Sequence, residues 1–269
     1  SDKKGWPVKL PEYTPHQTVL SDLNNDGFKE IILTSEYDNY TCISDNINNP
    51  KCVYGYPDGK LEIYSFNGSL IWSKIFDRHF SRFSVAIGDL NKDGFKEIVL
   101  LGFSANKIGQ LNNFENASLY VYNSDGSIVN GWPKSLKEID NVFENFDEYE
   151  LTWGVEYSPP VIIDLNGDGY KEIIFNIRNG TYVMNHNGSL QWKNYVDKYL
   201  FSSISLGKID QDYPGKEIVV STLDKIFIYH SDGSIVNGWP IPCKRKIRSI
   251  ESSNVIIGDL DNDGERELI

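Results

Sequence analysis

The 269 residues carry a formal net charge of −12 and 24% charged side chains, which suits one large or two small globular domains and excludes an intrinsic preference for nucleic acid phosphates. The longest apolar runs are far shorter than the ~18 residues that cross a bilayer, and no basic, then apolar, signal segment opens the chain. The only basic cluster, Lys244, Arg245, Lys246 and Arg248, reads as a solvated turn.

In chain order, five segments repeat one pattern: Thr18–Leu33, Ser84–Leu100, Pro160–Phe175, Ser205–Val220 and Asn254–Ile269. Each is a short apolar strand, an acidic loop and a second apolar strand. A third strand, a turn and a fourth strand follow, as in the stretches starting at Leu61, Leu119, Thr181 and Ile226. β-Branched and aromatic residues mark the strands, and Asn67-Gly68, Asp125-Gly126, Asn187-Gly188 and Asp232-Gly233 mark hairpin turns. The unit is thus four antiparallel strands, A to D, in a meander.

The loops open at Asp22, Asp89, Asp164, Asp210 and Asp259, and the two short intervals match the ~40–50 residues of a four-stranded propeller blade. The predicted fold class is all-β, a β-propeller: residues 1–16 end one blade, 17–80, 81–157, 158–200 and 201–250 are blades, and 251–269 start another. The strand count of the two ends lacks a strand C, so the chain is expected to be part of a larger ring completed by a longer chain or another fragment. Trp6, Trp72, Trp132, Trp192 and Trp239 are expected at one place in strand D as wedges between blades. Pro7, Pro133 and Pro240 follow three of them, which suits an outer, edge strand.

The acidic loops read Asp-x-Asn/Asp-x-Asp-Gly-x-x-Glu. Alternate oxygens of a tight loop converge on one point, and a hard cation such as Ca²⁺ takes six to eight of them. In the first loop Asp22, Asn24 and Asp26 offer side chains, Phe28 its carbonyl and Glu30 the closing carboxylate. The same roles fall to Asp89, Asn91, Asp93, Phe95 and Glu97, and to Asp164, Asn166, Asp168, Tyr170 and Glu172. The last loop offers Asp259, Asp261, Asp263, the carbonyl of Glu265, and Glu267. About four Ca²⁺ sites are predicted. An EF-hand is excluded, because its closing Glu at position twelve is here Leu33, Leu100 or Phe175, within a strand. The fourth loop, Asp210–Glu217, reads as one residue short and is disturbed by Pro214.

These loops, Ser84–Leu100 above all, resemble the FG-GAP or VCBS repeat family, which includes the integrin α-subunit propellers. The resemblance implies seven blades in a complete member, calcium in the A–B loops, and an extracellular or cell-surface adhesion role. The Gly-Trp-Pro tails are closer to those of prokaryotic surface proteins.

No nucleophile elbow, phosphate loop or zinc spacing is present, and His16, His79, His186 and His230 form no motif, the last two preceding equivalent C–D turns. The prediction is therefore a recognition module and no enzyme, with a polysaccharide lyase domain or a structural spacer as alternatives. Three long insertions, 36–60, 102–118 and 135–157, leave from B–C and D–A connections, the face opposite the calcium loops, where a protein or glycan partner is expected. Cys42 and Cys52 are close enough in sequence for a small disulfide loop, and Cys243 has no evident partner. Asn39, Asn67, Asn116, Asn179 and Asn187 begin Asn-x-Ser/Thr sites.

Overall fold

The computed structural model describes residues 5, 7, 13–37, 40–43, 51–54, 58–76, 84–102, 118–141, 159–177, 179–198, 200, 203–243, 255–261, 264 and 266–268. Trp6, Trp153, Asp263, Glu265 and most of the three insertions lie outside them. The described residues are all-β apart from one short helix, α1 (Leu136–Ile139).

Four antiparallel four-stranded sheets follow one another along the chain. The first contains β1 (Tyr13–Ser21), β2 (Glu30–Tyr37), β5 (Asp58–Tyr64) and β6 (Leu70–Phe76), with the hairpin β3 (Tyr40–Ile43) and β4 (Lys51–Tyr54) inserted. The second contains β7 (Val85–Gly88), β8 (Glu97–Gly102), β9 (Ser118–Tyr122) and β10 (Lys134–Ser135). The third contains β11 (Val161–Ile163), β12 (Glu172–Ile177), β13 (Gly180–Met184) and β14 (Leu190–Tyr195). The fourth contains β15 (Ser205–Gly207), β16 (Glu217–Ser221), β17 (Lys225–Tyr229) and β18 (Ile241–Pro242). The pair β19 (Ile257–Gly258) and β20 (Glu267–Leu268) begins a fifth repeat. In each complete sheet the strands lie in the order A-B-C-D, the meander that the repeat predicts.

Burial follows strand position. The second strands β8, β12 and β16 are buried at every residue, because both sheet faces are covered. They therefore read as near-continuous apolar runs without alternation. The fourth strand is the outer edge: Leu70, Ile71 and Ile75 of β6 are exposed.

The chain divides into two compact units, Ser1–Ile87 with Gly94–Asn145, and Gly88–Asp93 with Phe146–Ile269. The first unit's core joins Leu23, Ile32, Leu61, Ile63 and Phe76 of the first repeat to Val85, Ile98, Leu100 and Tyr122 of the second. The second unit holds two cores. One joins Leu165, Ile174 and Val183 to Ile218, Val220 and Tyr229, and the other joins Val219, Ile228 and Val236 to Val255.

The tryptophans fall into two classes instead of one. Trp72 and Trp192 sit in β6 and β14, opposite Ile63 and Val183. Each donates its indole N–H to a carbonyl in the next repeat's hairpin turn, Ser124 at 2.8 Å and Ser231 at 2.9 Å. Trp132 and Trp239 instead lie in a turn ahead of a shortened fourth strand. The added Val-Asn-Gly-Trp-Pro residues turn the chain there, with both Trp–Pro bonds cis.

The expected insertion boundaries need trimming. β2 runs to Tyr37 and β5 starts at Asp58, so the first insertion is 38–57. β8 ends at Gly102 and β9 starts at Ser118, so the second is 103–117. The third begins after α1, whose Leu136 and Ile139 are buried. No helix among the described residues is long and apolar enough to cross a membrane.

Candidate metal centre

The first and third acidic loops fold alike. Asp22 accepts the backbone N–H groups of Asp26 (3.2 Å) and Gly27 (3.0 Å), Asn24 accepts that of Asp26 (3.1 Å), and Asp26 accepts that of Phe28 (2.8 Å). In the third loop Asp164 accepts from Gly167 (2.7 Å) and Gly169 (3.0 Å), Asn166 from Asp168 (2.9 Å), and Asp168 from Tyr170 (2.7 Å). Short acidic side chains that bond their own backbone two to five residues on bend the chain into a tight loop. Gly27 and Gly169 stand at φ 88° and 86°, the left-handed conformation that this bend needs.

The closing glutamate has a second task. Glu30 and Glu172 are buried at the start of the second strand, and each Oε2 accepts the N–H of the residue after the first aspartate, Leu23 or Leu165, at 2.9 Å. That leucine is itself buried, and its carbonyl accepts the N–H of Lys96 or Lys216 in the next repeat. The loop is thus pinned to its own sheet by the glutamate and to the following repeat by the leucine carbonyl. Burial pushes the Glu172 carboxyl above its usual range. The Leu165 N–H opposes that shift, and the charges of Asp168 and Asp164 push it further up.

In the second loop Asp89 accepts the N–H of Lys92 (2.8 Å) and Asn91 that of Asp93 (2.9 Å), while Phe95 is exposed and Glu97 buried in β8. In the last loop Asp259, Asp261 and Glu267 each bring a carboxylate oxygen within 4.8 Å of the others. Among the described residues this is the one such acidic group of three. Leu260 N–H donates to Glu267 at 2.7 Å, repeating the clamp of the earlier loops.

The oxygen-only donors of the last loop, Asp259, Asp261 and Glu267, fit a hard divalent cation, while the carboxylates of the first three loops do not stand that close to one another. Of the residues the sequence singles out, Asp259, Asp261 and Glu267 are brought together, and Asp263 and Glu265 lie outside the described residues.

The fourth loop requires a correction. Gly207 pairs with Glu217 as Ser21 pairs with Glu30, Ile163 with Glu172 and Gly258 with Glu267. Lys208 therefore occupies the place of the first aspartate, and the loop is one residue longer than the others, not one shorter. Two further contacts agree with this register. Ile209 N–H donates to Glu217 at 2.6 Å, as Leu23 does to Glu30, and Asp212 N–H donates to Asp210 at 3.0 Å, as Asp26 does to Asn24. Aligning Asp with Asp concealed this, because the lysine breaks the motif at its first letter.

Sequence reading also missed a ring contact beside the loops. The aromatic offered as a carbonyl ligand stacks on a ring of the same sheet's third-to-fourth-strand turn: Phe28 on Phe66 at 4.5 Å, and Tyr170 on His186 at 4.3 Å. The recurrence of an aromatic after the loop glycine was the available signal. Lys92 lies over the Tyr170 ring at 3.8 Å and donates to the Asp168 carbonyl at 3.2 Å. His186 and His230 are not equivalent: His230 opens its turn, in the place of Asn185, and His186 follows that place. Asn179 spends its amide N–H on the Val196 carbonyl at 2.9 Å, a structural use of that Asn-x-Thr site.

No family model and no curated protein matches the chain. Among solved structures it is similar to the rhamnogalacturonan lyase YesW, with a TM-score of 0.52, 15% identity, and coverage of 96% of this chain and 55% of that one. The Bacillus licheniformis rhamnogalacturonan lyase PL11 gives a TM-score of 0.48 at 15% identity over the same shares, 96% and 55%. The V. cholerae biofilm matrix protein Bap1 gives 0.36 at 19% identity, over 89% of this chain and 42% of that one. The chain spans about half the length of the two lyases, 55%. The YesW match shows a shared fold.

Proposed function

We propose that this chain is a calcium-stabilised segment of a β-propeller of the FG-GAP or VCBS kind, acting outside the cell or at its surface as a recognition or adhesion module. The observation that carries the reading is the recurrence of one loop in the first, third and last repeats, each closed by a glutamate that accepts the N–H of the residue after the first aspartate. Asp22, Asn24, Asp26 and Glu30, with their counterparts in the second, third and last loops, hold the ions. Bound calcium supplies positive charge that offsets the clustered carboxylates and locks each loop to its sheet.

The partner is a glycan or protein docked on the insertions, opposite the calcium loops. A glycan comes first, because the fold is shared with a rhamnogalacturonan lyase. Glycan and protein arrays probed with the calcium-loaded chain test this, and an array with no calcium-dependent signal on either surface rejects it.

The same fold match favours a second reading, a propeller segment of a polysaccharide-active enzyme. Release of unsaturated products from acidic polysaccharides by the intact chain would establish it in place of the first.

A further inference from the structure

We infer that the Lys208 ammonium stands in the fourth loop where the other loops are built for a metal ion, so that this loop is neutralised from within and takes no divalent cation; the inference rests on the calcium reading of the remaining loops. The strand register puts Lys208 at the first loop position, where the others carry Asp22, Asp89, Asp164 and Asp259. Its Nζ donates to the backbone carbonyls of Asp210 and Tyr213, crossing the loop. A cation held there repels a second one at short range.

A buried ring also stands against two of the carboxylates left in the loop. The buried His230 imidazole has Nε2 3.8 Å from Asp210 Oδ2 and Nδ1 3.6 Å from Glu217 Oε1. Glu217 Oε2 makes the backbone clamp, while Oε1 is buried without a hydrogen bond and faces the ring. In Glu30, Glu172 and Glu267 too the clamp uses Oε2. The place of His230 is taken elsewhere by the smaller Ser65, Asn123 and Asn185, each opening the equivalent turn. Tyr213 stacks on the imidazole at 3.7 Å and closes the loop over it. Lys208 thus brings a positive charge, and His230 a ring, into the loop that in the other repeats is left to an ion.

The outcome for the protein is a loop whose order does not depend on calcium, set between the third and last loops, whose order does. Full-length wild type, Lys208→Met and the double variant Lys208→Asp/His230→Asn are compared by equilibrium dialysis against calcium and by melting in calcium and in chelator. Lys208→Met is expected to lower Tm equally in both media and to leave the number of bound calcium ions unchanged. The double variant is expected to melt below wild type in chelator, to bind one more calcium ion per chain than wild type, and to regain its Tm when calcium is added. A Lys208→Met protein with unchanged Tm, or a folded double variant that gains no calcium ion, overturns the inference. If wild type binds no calcium at all, the calcium reading fails by itself. The Lys208→Met melts then still decide whether the lysine is the loop's internal cation.

Discussion

The indole of Trp72 lies so close to Gly126 that a Cβ built on that glycine would stand 2.8 Å from Trp72 Cδ2. Gly126 also has φ 83°, and the same pair recurs as Trp192 over Gly233, again with 2.8 Å to Cδ2 and a φ of 86°. Each glycine therefore meets two demands, a left-handed turn and room for the tryptophan of the preceding sheet. Gly126→Ala should destabilise the protein by about 1–3 kcal/mol through strain and overpacking. Denaturant unfolding measures it, and an unchanged midpoint would show that the turn can move away from the indole.

Calcium should raise stability in steps. At ~10⁻⁴–10⁻³ M affinity per site and about 10 mM calcium, each site contributes about 1.4–2.7 kcal/mol. Asp168→Ala should remove the third site's share, while the protein in chelator loses little, since the mutation relieves repulsion with Asp164 and Glu172. Melting in calcium and in chelator measures both effects. Equal Tm values in the two media for fully demetallated wild type would refute calcium binding.

Two carboxylates should impose opposite pH slopes on the metal-free protein. Glu172 has its folded pKa raised above 4.5, chiefly by burial. Its contribution is fully present below 4.5 and is lost as pH rises through the folded value. Asp232 is held down to about 2 by the Ser234 and Tyr213 hydroxyls, from an ordinary 3.8. Its contribution is present above 3.8 and is lost as pH falls through about 2. Denaturation in chelator at stepped pH should show Glu172→Gln flattening the fall above 4.5 and Asp232→Asn flattening the rise below 3.8. A Glu172→Gln protein that keeps the wild-type slope would mean that this carboxyl does not titrate with folding.

The meander and the three regular loops were legible because their code is local: a period-two strand, an Asx-rich turn with glycine at a left-handed position, and a glutamate at fixed spacing. What escaped depended on contacts between distant residues. Lys208 could be placed only by the Gly207–Glu217 strand pair. The tryptophan classes became separable only when the Tyr122–Ile128 and Tyr229–Ile235 bridges showed where the fourth strand begins. Trp72 and Trp192 stand four residues after the turn glycine, Trp132 and Trp239 six, an offset that the shared turn motif masked.

Cys42 and Cys52 are Cα partners across the β3–β4 hairpin. Residues directly opposite in an antiparallel pair stand ~4.5–5.5 Å apart at Cα, within the span of a disulfide. Cys243 is unpaired. Protein prepared without reductant should titrate a single thiol after denaturation, and peptide mapping should recover the 42–52 pair linked. Three titratable thiols in protein from an oxidising compartment would rule the bridge out.

The stacking of Phe28 on Phe66 and of Tyr170 on His186 shows that the acidic loop and the third-to-fourth-strand turn share one end of each sheet. In an antiparallel meander the connection from second to third strand then leaves from the other end. Within each sheet, the strands that 38–57 and 103–117 connect and the fourth strand that precedes 142–157 meet these segments at the end away from that sheet's own acidic loop. Long loops on a rigid scaffold concentrate binding residues, and these carry Tyr40, Tyr54, Tyr56, Phe143, Phe146 and Tyr149 among acidic neighbours. Replacing 38–57 and 142–157 with short turns leaves β2, β5 and the buried Leu136 and Ile139 intact. Such a protein should keep its calcium-dependent Tm and lose partner binding by at least about tenfold, the equivalent of ~1.4 kcal/mol. Asp26→Ala, at the opposite end, should lower Tm in calcium and leave affinity nearly unchanged. Binding that survives both deletions, or that falls with Asp26→Ala in protein still folded, would place the partner on the calcium-loop end instead.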